Sequence, residues 1–203
     1  GRGMSEAVSF TFLDENTAKR YGGGDDALKL VNPISTELAV MRPSLIPVLM
    51  DVVARNQARG DNDVSVFEIG PVFANDTPAG QHPVLAGLRH GMTAAREWTG
   101  SQRPVDWLDA KADVMAALAA CGVKTDALQV RADAPDWYHP GQSGTLNQGK
   151  MALARFGAMH PAFMDAHDIK GPAAGFEILL DAVPMPKSKA GKSSQRPLAN
   201  LSP

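Results

Sequence analysis

The chain has 203 residues and a formal net charge of −2, with 44% hydrophobic and 21% charged residues. This composition is typical of a globular protein with a sizeable core, and no apolar run approaches the roughly 20 residues that a membrane span needs. Residues 185–203 contain four basic side chains and no acidic one, so the rest of the chain carries −6 and does not favour a broad nucleic-acid-binding surface.

Cysteine content and the chain ends suggest where the protein works. The single cysteine, Cys121, cannot form an internal disulfide and favours the cytoplasm. It lies in an apolar run, which predicts a core residue near a helix end instead of a catalytic nucleophile. No signal peptide opens the chain, and no membrane association is expected. A first residue Gly1 without methionine, and an end at Pro203, indicate a piece of a longer protein.

The first 26 residues predict a strand and a loop. Apolar and hydroxyl residues alternate over Val8–Phe12, which is typical of a half-buried strand. The glycines Gly22–Gly24 are followed by no Gly-Lys-Ser/Thr signature and have no strand-to-helix context. We therefore interpret them as a loop tip instead of a phosphate-binding loop.

Residues 43–88 predict a helix followed by a β-hairpin. Apolar side chains at helical spacing form one face, at Leu45, Ile46, Leu49, Val52 and Val53. The helix is expected to start no earlier than about Pro43 and to end at Gly60. A strand over Val64–Ile69 follows, which Gly70-Pro71 is expected to interrupt, and Val84–Leu88 is the return strand.

The second half of the chain mixes helices and strands without regular alternation. The predicted elements are a helix from Asp109 to Gly122, an edge strand over Leu128–Val130, a hairpin over Ser143–Phe156, a short helix over Pro161–His167 and a buried strand over Ala174–Leu180. This order favours an α+β fold in which helices flank an antiparallel sheet. The Pro-, Ser- and Lys-rich tail after Pro184 predicts a linker.

Several polar and aromatic residues have two possible readings. The five histidines form neither an HxxxH nor an HExxH pair, so a zinc site is not favoured. Asp106, Asp109 and Asp113 could offer oxygen ligands to Mg²⁺, but acids at a helix start are also stabilised by the helix dipole, which is the favoured reading. Trp137–His139 is either an aromatic binding patch or, preferably, a core or interface anchor.

Four segments of the chain resemble one family in order and spacing. They are residues 32–45 (NPISTE through RPSL), 66–73 (VFEIGPVF), 137–144 (WYHPG through Gly144) and 156–177 (FGAMHP, DIKGP and FE). Together they resemble the β subunit of bacterial phenylalanyl-tRNA synthetase over nearly the whole chain.

The resemblance implies a class II aminoacyl-tRNA synthetase catalytic-domain-like fold over residues 1–184, with residues 185–203 leading towards an anticodon-binding domain. It implies an (αβ)2 heterotetramer that attaches phenylalanine to tRNA(Phe) with ATP and Mg²⁺ in the cytoplasm. In that family the adenylate is made in the α subunit. The resemblance therefore assigns no catalytic, cofactor-binding or metal-binding residue to this chain.

Two positions bear on whether this copy is active. Adenylate formation needs positive charge at the phosphates, for which the arginine guanidinium is well suited. Working class II enzymes, by the resemblance, carry one arginine soon after a strand like Gly70–Phe73 and a second near the position of Ala182. Here Ala74 follows the strand, and Glu177 and Leu179 stand where small glycines would admit a nucleotide. The chain itself is therefore predicted to be inactive.

The leading interpretation is a non-catalytic scaffold that packs against the α subunit. The residues expected at that interface are Leu45, Leu49, Val52, Val53, Val66 and Ile69. Two alternatives remain open at this point. One is a direct tRNA-binding module that uses the basic tail, and the other is a retained nucleotide-binding site.

Overall fold

A sheet of seven strands forms the centre of the molecule, for which a computed structural model describes residues 2–93 and 102–184. Its strands are β1 (Ser5–Glu6), β4 (Val64–Phe73), β5 (Gln81–His90), β6 (Gln129–Arg131), β7 (Tyr138–Gln148), β8 (Met151–Met159) and β9 (Ala173–Leu179), while β2 (Phe12–Leu13) and β3 (Val40–Met41) pair separately. The order is β1-β4-β5-β9-β8-β7-β6, and only the β1–β4 pair is parallel. Within these residues no helix combines the length and apolar character needed to cross a membrane.

Helices cover both faces of this sheet. They are α1 (Glu15–Arg20), α2 (Ile46–Ala58), α3 (Trp107–Ala120) and α4 (Pro161–Ala166). Helix α2 packs on one face, where Leu49 joins Val66 and Leu88 in an apolar cluster. Helix α3 packs on the other face, where Val114 joins a cluster with Phe176. The prediction of an α+β fold with an antiparallel sheet flanked by helices is confirmed.

Polar side chains lie at the start of both long helices. The Ser44 hydroxyl accepts a hydrogen bond from the Ile46 amide at 3.0 Å, and α2 begins at Ile46, in agreement with a start no earlier than about Pro43. Asp106 and Asp109 form a reciprocal capping box, so α3 begins at Trp107, two residues before the predicted start. Gly60 follows α2 with φ 91°, a value that favours glycine.

The Gly70-Pro71 pair does not interrupt β4, which corrects the prediction of a broken strand. The register with β5 runs from Val64↔His90 to Phe73↔Gln81 and places Pro71 opposite Pro83. The outer edge of β4 is paired at this point, since Arg42 Nε donates to the Pro71 carbonyl at 2.9 Å and the Phe73 amide donates to the Arg42 carbonyl at 2.9 Å. Both prolines therefore occupy positions that need no ladder donor.

The prediction of a half-buried strand over Val8–Phe12 is wrong. Strand β1 ends at Glu6, β2 begins at Phe12, and the side chains of Val8 and Phe10 point outward at 92% and 70% exposure. The polar residue between them faces inward instead, because Ser9 Oγ donates to a Glu68 carboxylate oxygen at 2.6 Å. Side chains in this segment do alternate, but the polar Ser9 faces inward towards the buried Glu68, and the apolar Val8 and Phe10 face outward.

The other predicted elements are present with shifted ends. The hairpin predicted from Ser143 starts five residues earlier, at Tyr138, and the edge strand, short helix and buried strand lie within two residues of their predicted bounds. Glycines Gly22–Gly24 form a loop, as predicted. Cys121 lies at the end of α3, as predicted, but it is partly exposed, so the prediction of a core residue is wrong. The predicted linker over residues 185–203 lies outside the described residues.

Candidate functional site

The residues predicted for a subunit interface are mostly part of the chain's own core. Leu45, Leu49 and Val53 are 0% exposed, and Val66 is 7% exposed. Val52 is partly buried and packs against the same cluster. These five side chains hold α2 on the sheet and present little surface to a partner. Ile69, the sixth, is 56% exposed and lies on β4 near the sheet edge.

Exposed apolar side chains gather along the margin of the sheet near Ile69. The segment after β1 runs beside β4, since the Ala7 amide donates to the Phe67 carbonyl at 2.7 Å and Ser9 reaches Glu68. The side chains of Val8 and Phe10 project from this segment. We call Val8, Phe10 and Ile69 the edge patch.

A buried ion pair lies beneath the edge patch. Arg42 is 2% exposed, and its Nη1 donates to a Glu68 carboxylate oxygen at 2.8 Å and to Ser9 Oγ at 2.9 Å. Gly70 makes room for it, because a Cβ there would lie 2.4 Å from Arg42 Nη2. Each partner would be an uncompensated buried charge without the other, so both stay in place. Ser9 bonds to both, and the N-terminal segment is thereby fixed against β4.

A cleft of about 940 Å³ opens where β4 and β9 end. The loop Gly22–Asp25 and the side chain of Trp137 form part of its walls. Ala74 and Ala182 both line it, which brings together the two positions at which the resemblance implies arginines. Neither of these two residues carries a charge.

Five directly opposed strand positions form a row across the sheet face covered by α2. The row runs Glu68, Ala86, Glu177, Arg155, Thr145 through β4, β5, β9, β8 and β7. Opposed side chains of an antiparallel pair lie on one face with Cβ atoms roughly 5 Å apart. We call these residues the polar row, and Arg155 in it lines the cleft.

Glu177 is the acid at the centre of the polar row. It is 3% exposed, and Ser44 Oγ donates to its Oε1 at 2.6 Å. Burial raises the pKa of the Glu177 carboxyl above its ordinary value, against the opposing influence of Ser44, Arg155 and Trp137. Burial likewise raises the pKa of Tyr138 well above the usual range, and Glu177 adds to this shift.

A hydrogen-bonded chain joins three helices behind the cleft. Tyr21, at the end of α1, bonds through its hydroxyl to His167 Nε2 at 3.1 Å, and His167 Nδ1 bonds to Asp51 of α2 at 2.8 Å. Burial raises the pKa of the Tyr21 hydroxyl far above physiological pH, so the hydroxyl stays protonated. Tyr21 is therefore a neutral structural tether in this chain.

Acidic residues at the start of α3 have structural partners. Asp106 and Asp109 cap the helix, and Arg103 bonds to Asp109 at 2.6 Å. Asp113 is buried and receives Arg89 at 2.5 Å and Arg2 at 2.6 Å. Among the described residues no group of three or more His, Cys, Asp or Glu side chains could hold a metal ion. Each of these acids thus has a helix cap or an arginine partner that accounts for its position.

Arg155 is the residue that the sequence reasoning missed. Its strand was predicted, but a single arginine within MALARFGAM gave no sign of where the side chain would lie. The residue type itself is the one available signal. An arginine in an otherwise apolar strand requires a polar environment or an opening to solvent, but this does not say where on the sheet that opening lies. Trp137 and Tyr138 are 8% and 1% exposed, in keeping with the preferred reading of an aromatic anchor.

Comparison with known proteins places the chain in a family. The family model described as the phenylalanyl tRNA synthetase beta chain CLM domain matches residues 1–180. The chain is 50% identical over 202 residues to a phenylalanine–tRNA ligase beta subunit from Rhodospirillum rubrum, and 49% identical over 198 residues to one from Bartonella henselae. These matches cover 100% and 95% of this chain and 25% of each relative, so the chain spans about a quarter of their length.

A solved structure agrees on the fold. The pyrrolysyl-tRNA synthetase of Desulfitobacterium hafniense superposes with a TM-score of 0.62, covering 90% of this chain and 62% of that one at 16% identity. This likeness to a class II synthetase confirms the predicted fold. With the match over residues 1–180, it follows that the chain belongs to the phenylalanyl-tRNA synthetase β chain family and represents its CLM domain.

Proposed function

We propose that this domain is a non-catalytic scaffold within a phenylalanine–tRNA ligase. The observation that carries the proposal is the cleft, in which Ala74 and Ala182 stand at the two positions expected to hold arginines. Transfer to the α-phosphate of ATP develops negative charge, and a site that stabilises it needs fixed cations at that place. This chain does not supply them there.

The charges of the cleft do not fit ATP and Mg²⁺. Asp25 and Asp181 line it. Of its cations, Lys19 is bonded to Glu15 at 2.6 Å, which leaves Arg155 as the main counter-charge for a triphosphate. A polyanion would therefore meet repulsion without adequate compensation. Adenylate formation, with its ATP and Mg²⁺, is assigned to the α subunit.

The edge patch supports a docking role. Val8, Phe10 and Ile69 are 92%, 70% and 56% exposed, and apolar surface of this kind is typical of subunit contacts. The proposed partner is the α subunit in an (αβ)2 heterotetramer that serves tRNA(Phe) in the cytoplasm. Residues 185–203 are proposed to link the domain to an anticodon-binding domain. Of the six residues first expected at the interface, Ile69 is best placed to contribute.

The test is assembly of the full-length β chain with the α subunit. Ile69→Asp is expected to reduce co-purification of α strongly, because it buries a charge in an apolar contact. Val130→Asp is the matched control: Val130 is 51% exposed, but it lies on β6 at the opposite edge of the sheet. Equal recovery of α with both variants would contradict docking through the edge patch.

Catalytic silence is tested separately by titrating ATP with Mg²⁺ into the 203-residue chain in a calorimeter. No saturable binding is expected up to millimolar ATP. Micromolar affinity would overturn the non-catalytic reading and support a retained nucleotide site. Binding of tRNA to this chain that weakens steeply with salt would instead support the tRNA-binding alternative.

A further inference from the structure

The cleft retains features that a scaffold does not require. A volume of about 940 Å³ is within the range of small-molecule sites, which are mostly apolar with a few converging polar groups. Phe73, Trp137 and Leu179 give it apolar walls, and Arg155 places a cation in it. The alanines at positions 74 and 182 therefore change the chemistry of the cleft but leave it open.

Arg155 differs from the other polar members of the polar row. Glu68 is paired with Arg42, Glu177 with Ser44, and Thr145 with Asn147. Over residues 2–93 and 102–184, the Arg155 side chain makes neither a hydrogen bond nor an ion pair, while its backbone lies between β7 and β9 in the sheet. Its neighbour across the strands, Glu177, feels its charge but lies outside ion-pair distance. A partly buried guanidinium with five donors thus faces the cleft unpaired.

Three buried polar atoms, one of them on a residue that lines the cleft, have no hydrogen-bond partner in the described structure. They are Trp137 Nε1, Tyr138 Oη and Glu177 Oε2. The Trp137 and Tyr138 rings lie 6.1 Å apart between centroids, and Trp137 also lowers the pKa of the Glu177 carboxyl, so the three groups are neighbours. Buried polar atoms are nearly always satisfied, and each unsatisfied one is costly. Trp137 lines the cleft, so a bound polar group there would be close to this cluster.

The other charges of the cleft set the charge of a ligand. Asp181 pairs with His82 at 3.0 Å, and Asp25 caps a turn by accepting from the Ala27 amide at 3.0 Å. Lys19 is already bonded to Glu15. Among the described lining residues, Arg155 is the cation without such a partner. It can match one negative charge on a ligand, whereas a second negative charge would be repelled by Asp25 and Asp181. This favours a monoanion over a phosphate dianion.

We propose that the cleft binds a small organic monocarboxylate, whose carboxylate pairs with the Arg155 guanidinium and whose apolar body packs against Phe73, Trp137 and Leu179. The planar guanidinium matches a carboxylate in a two-bond geometry, and the aromatic walls suit a ring of similar size. The site does not depend on the scaffold role, since the edge patch lies on a different part of the sheet.

The probe is phenylacetate, titrated into the 203-residue chain by calorimetry, with the neutral phenylacetamide as its isostere. Saturable one-to-one binding of phenylacetate is expected, with phenylacetamide weaker by about tenfold or more because the charged hydrogen bonds are lost. Arg155→Gln should weaken phenylacetate by a similar factor. Arg55→Gln is the control, because Arg55 is exposed on α2 away from the cleft and should leave the affinity unchanged.

Any of these results would overturn the proposal: no saturable binding of phenylacetate, equal binding of phenylacetate and phenylacetamide, tighter binding of phenyl phosphate than of phenylacetate, or unchanged affinity in Arg155→Gln. If Arg155→Gln fails to fold, as judged by circular dichroism, the wild-type chain decides the question. Phenylacetate should then shift the Nε–Hε resonance of Arg155 saturably in a ¹⁵N spectrum. An unmoved Arg155 resonance at saturating phenylacetate would likewise end the proposal.

Discussion

Along β8 and β9, the two faces of the central sheet differ in chemistry. Towards α3, Phe156, Phe176 and Ile178 form an apolar core with the helix. Towards α2, the immediate neighbours of these residues, Arg155 and Glu177, belong to the polar row. Side chains alternate along a strand, so in β8 and β9 one residue step separates an apolar layer from a polar one.

This difference indicates what each face is for. Along β8 and β9 the α3 face serves packing, where burial of apolar area stabilises the fold directly, and the buried ion pair of this face, Arg89–Asp113, lies at β5. Buried ionic groups such as Arg42–Glu68 contribute less net stability than apolar side chains of similar volume would. The α2 face carries such groups and, at Arg155, borders an open cleft, which is the composition of a site floor. The comparison can be tested by perturbing each face separately.

The largest effect is expected from breaking the buried ion pair on the α2 face. Arg42→Met leaves Glu68 buried without its cation and should lower the free energy of unfolding by about 4 kcal/mol. Urea denaturation followed by circular dichroism measures this loss. The double variant Arg42→Met/Glu68→Met removes the orphaned charge and should recover most of the stability. A loss below about 1 kcal/mol in the single variant would show that the pair is not structural.

A smaller effect is expected on the apolar face. Ile178 is 0% exposed, so Ile178→Val removes one buried methylene and should cost about 1 kcal/mol. Ile69→Val, the same change at an exposed position of the sheet, should alter stability by less than about 0.5 kcal/mol. Comparable losses in both variants would argue against the α3 face as the tightly packed one.

The smallest effect is expected at Glu177, and it depends on pH. Because burial raises the pKa of this carboxyl, the folded state favours the protonated form. Its contribution to stability is complete below the ordinary value of 4.5 and declines as pH rises through the raised folded-state pKa. Glu177→Gln cannot ionise and escapes this decline.

Denaturation of both proteins between pH 4 and pH 8 provides the measurement. The stability of Glu177→Gln relative to the wild type should rise with pH, and other titrating groups cancel in the difference. A constant or falling difference would mean that Glu177 is ionised at little cost in the folded state.

Sequence reasoning found the elements but not all of their orientations. The spacing of Leu45, Leu49 and Val53 correctly indicated a helix with one apolar face, yet it could not say that the face covers this chain's own sheet. The alternation at Val8–Phe12 was read in the wrong sense, because the ion pair that draws Ser9 inward joins distant parts of the chain.

The candidate site was only half visible in the sequence. Local spacing around Gly70–Phe73 led to Ala74 and, through the family resemblance, to Ala182, and the structure brings the two together in the cleft. Arg155 was not found, because its place depends on the strand order β5-β9-β8. Long-range register of this kind is set by the packing of the whole sheet and leaves no local pattern in the sequence.

The backbone along the outer edge of β4 restricts how another protein can approach it. The Phe67 and Pro71 carbonyls and the Phe73 amide are already bonded to Ala7 and Arg42, and Pro71 has no N–H to offer. Extension of the sheet across a subunit boundary by strand addition would have to break these bonds. A partner at this edge must therefore bind through side-chain contacts, which makes the pairing selective for its sequence and guards the ten-residue strand against templated aggregation.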